Sequence, residues 1–300
     1  MEFNLVDLKI KVRCKKPDLL ALSMSGHGGT FAAACKNGVC TRVSIACDQC
    51  PVRRECHWHA VFGQILSVDP AALKRHQKPP LPFIFSFPFP EELIVATDTI
   101  ECGLVVVGRA IHCIDMLLKG FAEFLMGDAA EVTGEIIQVS TSGYQGESTC
   151  LGEGTDIYHA GNLQVLSAEV LQEYSPLECS RIDVRLLSPL RLMMNGRQCR
   201  RFDFSQFVRS LMRRVSSLAY YYAEYSFESD FRRLASIADS IECSKDRFCY
   251  EQRKDSIFGI TGSGSFNGNF EELLPFLTLG KYIHVGKGAS YGMGRYQLML

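Results

Sequence analysis

Residues 102–125, CGLVVVGRAIHCIDMLLKGFAEFL, contain the pattern that decides the fold. The apolar run from Cys102 to Val107 predicts a buried strand. Apolar side chains then recur at helical spacing, which predicts a helix from about Ala110 to Leu125. The helical positions are Ile111, Ile114, Leu117, Leu118 and Phe121. A strand that leads directly into such a helix indicates a fold in which helices pack on a sheet. The flanking segments then decide the topology of that sheet.

The flanking segments complete one β-α-β-β-α-β unit. Apolar and basic side chains alternate within Leu5 to Arg13, which predicts a half-buried strand. A short helix over Thr30 to Ala34, a strand over Phe83 to Phe87 and a strand over Glu131 to Thr141 provide the remaining elements. This order is typical of the ferredoxin-like fold.

The second half of the chain repeats this order without repeating the sequence itself. Its predicted elements are a strand from Ile182 to Leu192, a helix from Asp203 or Ser205 to about Tyr222, one or two strands within Ser256 to Phe266, a helix from Phe270 to Leu279 and a strand from Arg295 to Leu300. We therefore expect an α+β protein with two ferredoxin-like domains, over residues 1–143 and 144–300.

Composition excludes several classes of protein. The 300 residues are 47% hydrophobic and 22% charged, which excludes wholesale disorder. The net charge of −1 excludes a uniformly basic nucleic-acid coat. No apolar run approaches the roughly 18 residues of a membrane span, and no secretory signal is recognisable at the N-terminus. We expect a cytoplasmic protein without a membrane partner.

Cysteines cluster between residues 35 and 60. The spacing Cys40-x6-Cys47-x2-Cys50-x5-Cys56 supplies four thiols, and the Cys-x2-Cys turn is one that zinc favours. We expect these four to hold a structural Zn²⁺ with no open coordination position. Cys35, His57 and His59 are substitute ligands. An iron–sulfur cluster and four reduced thiols are the alternatives.

Arginines cluster between Ser180 and Val215. This segment has nine arginines and two aspartates, a local charge of +7 in a chain that is nearly neutral. Arg209 and Arg213 are four residues apart and share a helix face. Guanidinium groups bind phosphate well, so the cluster indicates a nucleic-acid surface. The alternative is a solvated helix face that acidic residues elsewhere neutralise.

Residues 284–295, HVGKGASYGMGR, form a glycine-rich segment. The dinucleotide-binding pattern would need glycine at Tyr291, and the phosphate loop of nucleotide hydrolases would need Ser or Thr after Lys287. Glycine backbone can still approach phosphate closely, with Lys287 and Arg295 adding positive charge. A flexible turn before the last strand is the other interpretation.

Several segments, in order, resemble the CRISPR-associated endoribonucleases of the RAMP superfamily, which process precursor CRISPR RNA. The similar segments are GLVVVGRAI at 103–111, LSPLRL at 187–192, the helix over 204–218 with its arginine pair, HVGKGASYGMGRY at 284–296, and CDQCPVRREC at 47–56, which resembles the cysteine-rich insert of one branch. The resemblance covers essentially the whole chain, and the glycine-rich segment at 286–294 is its most specific part.

The resemblance implies tandem ferredoxin-like domains that bind the hairpin of a CRISPR repeat RNA and cut it without a catalytic metal. It also implies attack by a ribose 2′-OH, leaving a 2′,3′-cyclic phosphate and a 5′-OH, with CRISPR RNA and other effector subunits as partners. The residues expected to contact RNA are Arg191, Arg209, Arg213, Arg214, Gly286, Lys287, Gly288, Ser290, Gly292, Gly294 and Arg295.

Histidine is the obvious general base for this reaction. Related enzymes often place a catalytic histidine on or near the first helix, so His27 is the first candidate and His284, beside the glycine-rich segment, the second. The segment 25–31 lacks the basic residue usual in the branch with the insert. A third possibility is electrostatic catalysis without histidine. The competing functions are a catalytically silent RNA-binding subunit and a purely structural subunit, and the arginine cluster argues against the second.

Overall fold

The computed structural model describes residues 3–26, 28–75, 78–88, 98–127, 133–153, 160–173, 179–227, 229–252 and 258–300. They form two antiparallel sheets, each with helices packed against it. Both sheets have the strand order of the ferredoxin-like fold, which confirms the predicted class. Among the described residues, no helix combines the length and apolar character that crossing a bilayer requires.

The first sheet has the order β2-β3-β1-β4-β5, with β6 paired to β1. Its strands are β1 Asn4–Cys14, β2 Phe83–Ser86, β3 Thr99–Val107, β4 Gly134–Ser142, β5 Ser148–Glu153 and β6 Leu166–Ser167. Its helices are α1 Pro17–Gly26, α2 Gly28–Asn37, α3 His57–Phe62, α4 Pro70–Arg75 and α5 Ile114–Met126. A 3₁₀ turn over Gly108–Cys113 leads from β3 into α5.

The second sheet has the order β10-β11-β7-β12. Its strands are β7 Arg181–Leu190, β10 Glu242–Gln252, β11 Phe258–Asn267 and β12 Tyr296–Met299, and β8 Met193–Met194 pairs with β9 Arg197–Gln198 as a separate hairpin. The helices are α6 Ala168–Glu173, α7 Phe204–Ala223, α8 Phe231–Asp239 and α9 Leu274–Ile283. Asp203 caps α7 by accepting a hydrogen bond from the Gln206 amide, as one of the two predicted caps would.

The first sheet is covered on both faces near one end. Leu104 and Val106 of β3 pack with α2 and α5, whereas Val105 and Val107 belong to the core of the second half of the chain. This arrangement explains why β3 is a continuous apolar run, since strands buried on both faces lose the alternation of half-buried ones. The two halves therefore share apolar core.

The first sheet extends beyond residue 143, where the sequence placed the domain boundary. Strand β5 forms a hairpin with β4, and β6 pairs Leu166 and Ser167 with Leu5 and Asn4. This stretch is polar and rich in glycine, so it has little of the apolar periodicity from which strands are predicted. The first sheet therefore includes strands on both sides of residue 143, and the boundary itself stays a prediction.

Prediction for the α2–α5 contact. A Cβ at Gly120 of α5 would lie 2.2 Å from the Cys35 Sγ and 3.0 Å from the Cys35 Cα. We expect Gly120→Ala to lower the free energy of unfolding by about 1–3 kcal/mol, although alanine favours helix, because the helices cannot approach as closely. The matched control is Gly127→Ala, where the nearest atoms would be 3.6 Å away. Urea unfolding of both variants checks this, and equal stabilities would contradict it.

Candidate functional site

The glycine-rich segment, residues 284–295, is hereafter called the glycine loop and has a defined conformation. Its four glycines, Gly286, Gly288, Gly292 and Gly294, all have positive φ. A Cβ at Gly294 would lie 1.8 Å from the Val285 carbonyl oxygen, and one at Gly286 would lie 2.5 Å from that of Arg191. No other residue fits these two positions, so the glycines serve the loop's own conformation.

The glycine loop joins the two halves of the molecule. The Phe85 amide of β2 donates to the Ser290 carbonyl at 3.0 Å, and the Ser290 hydroxyl donates to the Leu81 carbonyl at 3.3 Å. The Tyr291 hydroxyl donates to the Gly28 carbonyl at 3.4 Å. These bonds fix the loop against β2 and the start of α2.

His27, the first candidate base, lies outside the described residues. Its neighbours are Gly26, which ends α1, and Gly28, which begins α2. Gly28 lies so close under the Tyr291 ring that a Cβ would be 2.6 Å from the ring carbon Cζ. The structure therefore brings the residue after His27 into contact with the glycine loop.

His284, the second candidate, is buried. Its exposed fraction is 2%, and its Nδ1 has no hydrogen-bond partner among the described residues. Burial lowers its pKa to about 3, with the positive charges of Arg295 and Arg214 adding to the effect. Its φ of 56° marks it as part of the turn. These features favour a structural role for a neutral imidazole.

Two of the predicted RNA-contacting arginines brace the glycine loop. The Arg214 Nε donates to the Ile283 carbonyl at 2.8 Å, and its Nη2 donates to the Ser290 hydroxyl at 3.3 Å. Burial lowers the pKa of Arg214 to about 10. The Arg295 Nη1 donates to the Phe87 carbonyl at 3.5 Å. Arg214 thus fixes the glycine loop to α7, and Arg295 connects the loop to the first half of the chain.

Two further predicted arginines are also bonded within the protein. Arg191 donates from Nε to the Phe258 carbonyl at 2.9 Å and lies 4.2 Å from the centre of that ring. Arg209 makes a two-bond ion pair with Asp239, at 2.6 and 2.8 Å. Hydrogen bonds from Ser205 and Arg209 lower the pKa of Asp239. An acid 30 residues away in sequence therefore neutralises Arg209, which the local charge count could not show.

Among the predicted RNA-contacting residues, Arg213 and Lys287 are the exposed cations. Within the part of the chain that the structure describes, neither takes part in an ion pair. Arg213 and Arg214 are consecutive on α7, so they project about 100° apart. Arg214 projects to the glycine loop, and Arg213 remains available to an anionic ligand.

The four cysteines of the predicted zinc site are half-buried thiols at Cys40, Cys47, Cys50 and Cys56. The described residues bring no three His, Cys, Asp or Glu side chains together as a metal ion would require. Cys35 is a core residue of α2 rather than a substitute ligand. The structure thus gives no support to the zinc site, which stays a prediction from the spacing.

The β8–β9 hairpin beside α7 is not among the elements predicted from the sequence. Asn195 and Gly196 at its tip have φ values of 51° and 76°. Asn-Gly is the preferred pair for a two-residue hairpin turn of this kind, so the signal was present in the sequence. The hairpin places Met193 near the start of α7, where the Gln206 Nε2 donates to the Met193 carbonyl at 3.2 Å.

Comparisons with known proteins agree with this architecture. A family model described as CRISPR-associated endoribonuclease Cas6 matches residues 184–296, and one described as an N-terminal domain matches residues 3–170. No curated protein sequence matches the chain.

Solved Cas6 structures have a similar fold at low sequence identity. Thermus thermophilus Cas6 is 15% identical, with all of both chains covered and a TM-score of 0.56. A Cas6 product complex is 16% identical over 98% of this chain and 100% of that one, with a TM-score of 0.59. A chain of a partial Cas6-RT-Cas1–Cas2 complex is 12% identical, with 99% of this chain covering 46% of that one and a TM-score of 0.56.

Prediction for the buried histidine. Between about pH 6.5 and pH 3 the unfolded chain protonates His284 and the folded chain does not, so acidification in this window favours unfolding. We expect His284→Asn, which tolerates positive φ but cannot titrate, to show a shallower fall in the free energy of unfolding across that window. Urea unfolding at pH 7, 6, 5 and 4 measures the difference between variant and wild type. Parallel curves would contradict the assignment.

Proposed function

We propose, from the match of residues 184–296 to the Cas6 family model, that this chain is a CRISPR-associated endoribonuclease of that family and that it cuts precursor CRISPR RNA at the repeat hairpin without a catalytic metal. The observation that carries the proposal is the glycine loop, which the structure holds against the start of α2, one residue from His27. Lys287 of the same loop is exposed and adds a positive charge to it.

The proposed reaction is an internal transesterification. A general base takes the proton of the ribose 2′-OH, and the 2′-oxygen attacks the adjacent phosphorus. The bond from phosphorus to the 5′-oxygen breaks, and the leaving oxygen takes up a proton. The products are a 2′,3′-cyclic phosphate and a 5′-OH.

We assign the base to His27 and the phosphate contact to Lys287. Lys287 is exposed, and its positive charge would stabilise the additional negative charge that develops on the phosphate in the transition state. His284 remains the second candidate, although its burial and its pKa of about 3 make it a weaker one. Electrostatic stabilisation without a histidine is the remaining alternative.

The proposed partners are CRISPR repeat RNA and other CRISPR proteins. Solved structures with this fold include a Cas6 product complex and a Cas6-RT-Cas1–Cas2 complex. A catalytically silent subunit that holds the repeat hairpin is the second function we consider, because the same fold and arginines would serve it. Incubation with repeat RNA separates the two, since only the enzyme produces fragments.

Prediction for the nucleophile. A repeat RNA with a single 2′-deoxy residue just upstream of the cut should not be cleaved, because the nucleophile is missing. The unmodified RNA should be cleaved in EDTA at concentrations that leave a tightly held zinc in place. Gel analysis of end-labelled RNA measures both results. Full cleavage of the deoxy substrate would contradict the proposed mechanism.

Prediction for the general base. His27→Ala should lower the single-turnover cleavage rate by about 10² or more, the usual scale for loss of acid–base catalysis. Its affinity for the repeat hairpin should stay within a factor of about three, because a general base contributes little to ground-state binding. Rates and affinities are measured on the same RNA. A variant that cuts at the wild-type rate would transfer the role to another group.

Prediction for the exposed cations. Lys287→Gln and Arg213→Gln should each weaken RNA binding and flatten the salt dependence of affinity by about 0.7 in logarithmic slope, one phosphate contact each. The matched control is Lys119→Gln, because Lys119 pairs with Asp115 on α5. Binding titrations between low and high salt give the slopes. Unchanged slopes for both variants would remove these residues from the RNA surface.

A further inference from the structure

A cavity of about 410 Å³ lies between α7, α8 and the β8–β9 hairpin. None of the proposed catalytic groups lines it. Its volume falls within the range of pockets that bind small molecules. Its position between the arginine-bearing helix and the hairpin makes it accessible to a ligand that also contacts Arg213.

The walls of the cavity suit a flat aromatic ring. Met193, Phe227 and Phe231 provide apolar surface, and Ala235 leaves open space on the α8 side. Unstacked bases of RNA bind against such aromatic and apolar side chains. The lining thus offers the contacts that a base loses when it leaves the RNA stack.

The rim of the cavity is polar and positively charged. Asn195 provides an amide group that can form hydrogen bonds with a base edge, and Gln206, whose Nε2 donates to the Met193 carbonyl at 3.2 Å, offers its side-chain oxygen as an acceptor. Arg213 is exposed and, among the described residues, forms no ion pair. Arg209, also at the rim, is already paired with Asp239, so Arg213 is the residue positioned to bind a phosphate.

We propose that this cavity holds one unstacked nucleotide of the bound RNA, with the base between the apolar walls and its phosphate on Arg213. The inference rests on the proposed function, since it requires the RNA to be bound. A protein partner fits less well, because docking surfaces expose a contiguous apolar patch. Among the described lining residues, Met194 alone is a strongly exposed hydrophobic side chain, at 53%.

The test fills the cavity without removing packing. Ala235→Phe places a ring in it from α8, and Ser216→Leu fills it from α7 if the first variant folds poorly. The matched control is Ser236→Phe, the next residue on α8, which is exposed and does not line the cavity. Thermal melting confirms that each variant is folded.

The readout is affinity for repeat RNA and for a series of the same RNA with one abasic residue at each position. We expect wild type to lose about tenfold in affinity at one abasic position, the scale of one stacked base. Ala235→Phe and Ser216→Leu should lose about tenfold on intact RNA and nothing further at that position, because the same contact is already gone. Ser236→Phe should behave as wild type.

Three results would overturn the proposal, and they differ in what they imply for the proposed function. Filled variants that bind every RNA as wild type does would overturn the pocket while leaving the proposed function intact. Filled variants that bind RNA normally but no longer associate with another CRISPR protein would assign the cavity to a protein and overturn the proposal. A wild-type protein that neither binds nor cuts repeat RNA would overturn the proposed function and this inference with it.

Discussion

The rest of the structure depends on the contact between the glycine loop and the first sheet. The hydrogen bond from the Phe85 amide to the Ser290 carbonyl, with Tyr291 over Gly28, fixes a loop of the second half on elements of the first. The loop can pack against these elements only because its four glycines adopt positive φ and approach neighbouring atoms closely. This constraint fixes the start of α2 against the loop that carries Lys287.

The positive charge available to RNA depends in part on this contact between the glycine loop and the first sheet. Arg214 and Arg295 are used to hold the loop, and Arg209 is neutralised by Asp239. A local charge of +7 therefore does not translate into nine phosphate contacts. The charge that remains available includes the exposed Arg213 and Lys287. Arg213 also lines the cavity between α7, α8 and the β8–β9 hairpin, so a phosphate bound to Arg213 would lie beside the nucleotide site that we propose.

The fold was predictable where one face of an element is buried against its own domain. Helices α5 and α7 have strong periodicity because each packs its apolar face on one sheet, and β3 is recognisable as a continuous apolar run because it is buried on both faces. Strand β10 was missed because it is an edge strand with mostly exposed side chains. Helix α8 was missed because it is short and polar, with Leu234 and Ala238 as its buried residues. Pairing of β6 with β1 depends on a partner distant in the sequence.

The sequence by itself determined the repeated β-α-β-β-α-β order, the arginine cluster and the position of the glycine loop, because periodicity, charge and glycine spacing are local properties. The tertiary structure alone decided which arginines remain unpaired, that His284 is buried, and where a cavity opens beside Arg213. These outcomes depend on contacts between residues distant in the chain, such as Arg209 with Asp239, and on the packing of one half of the molecule against the other.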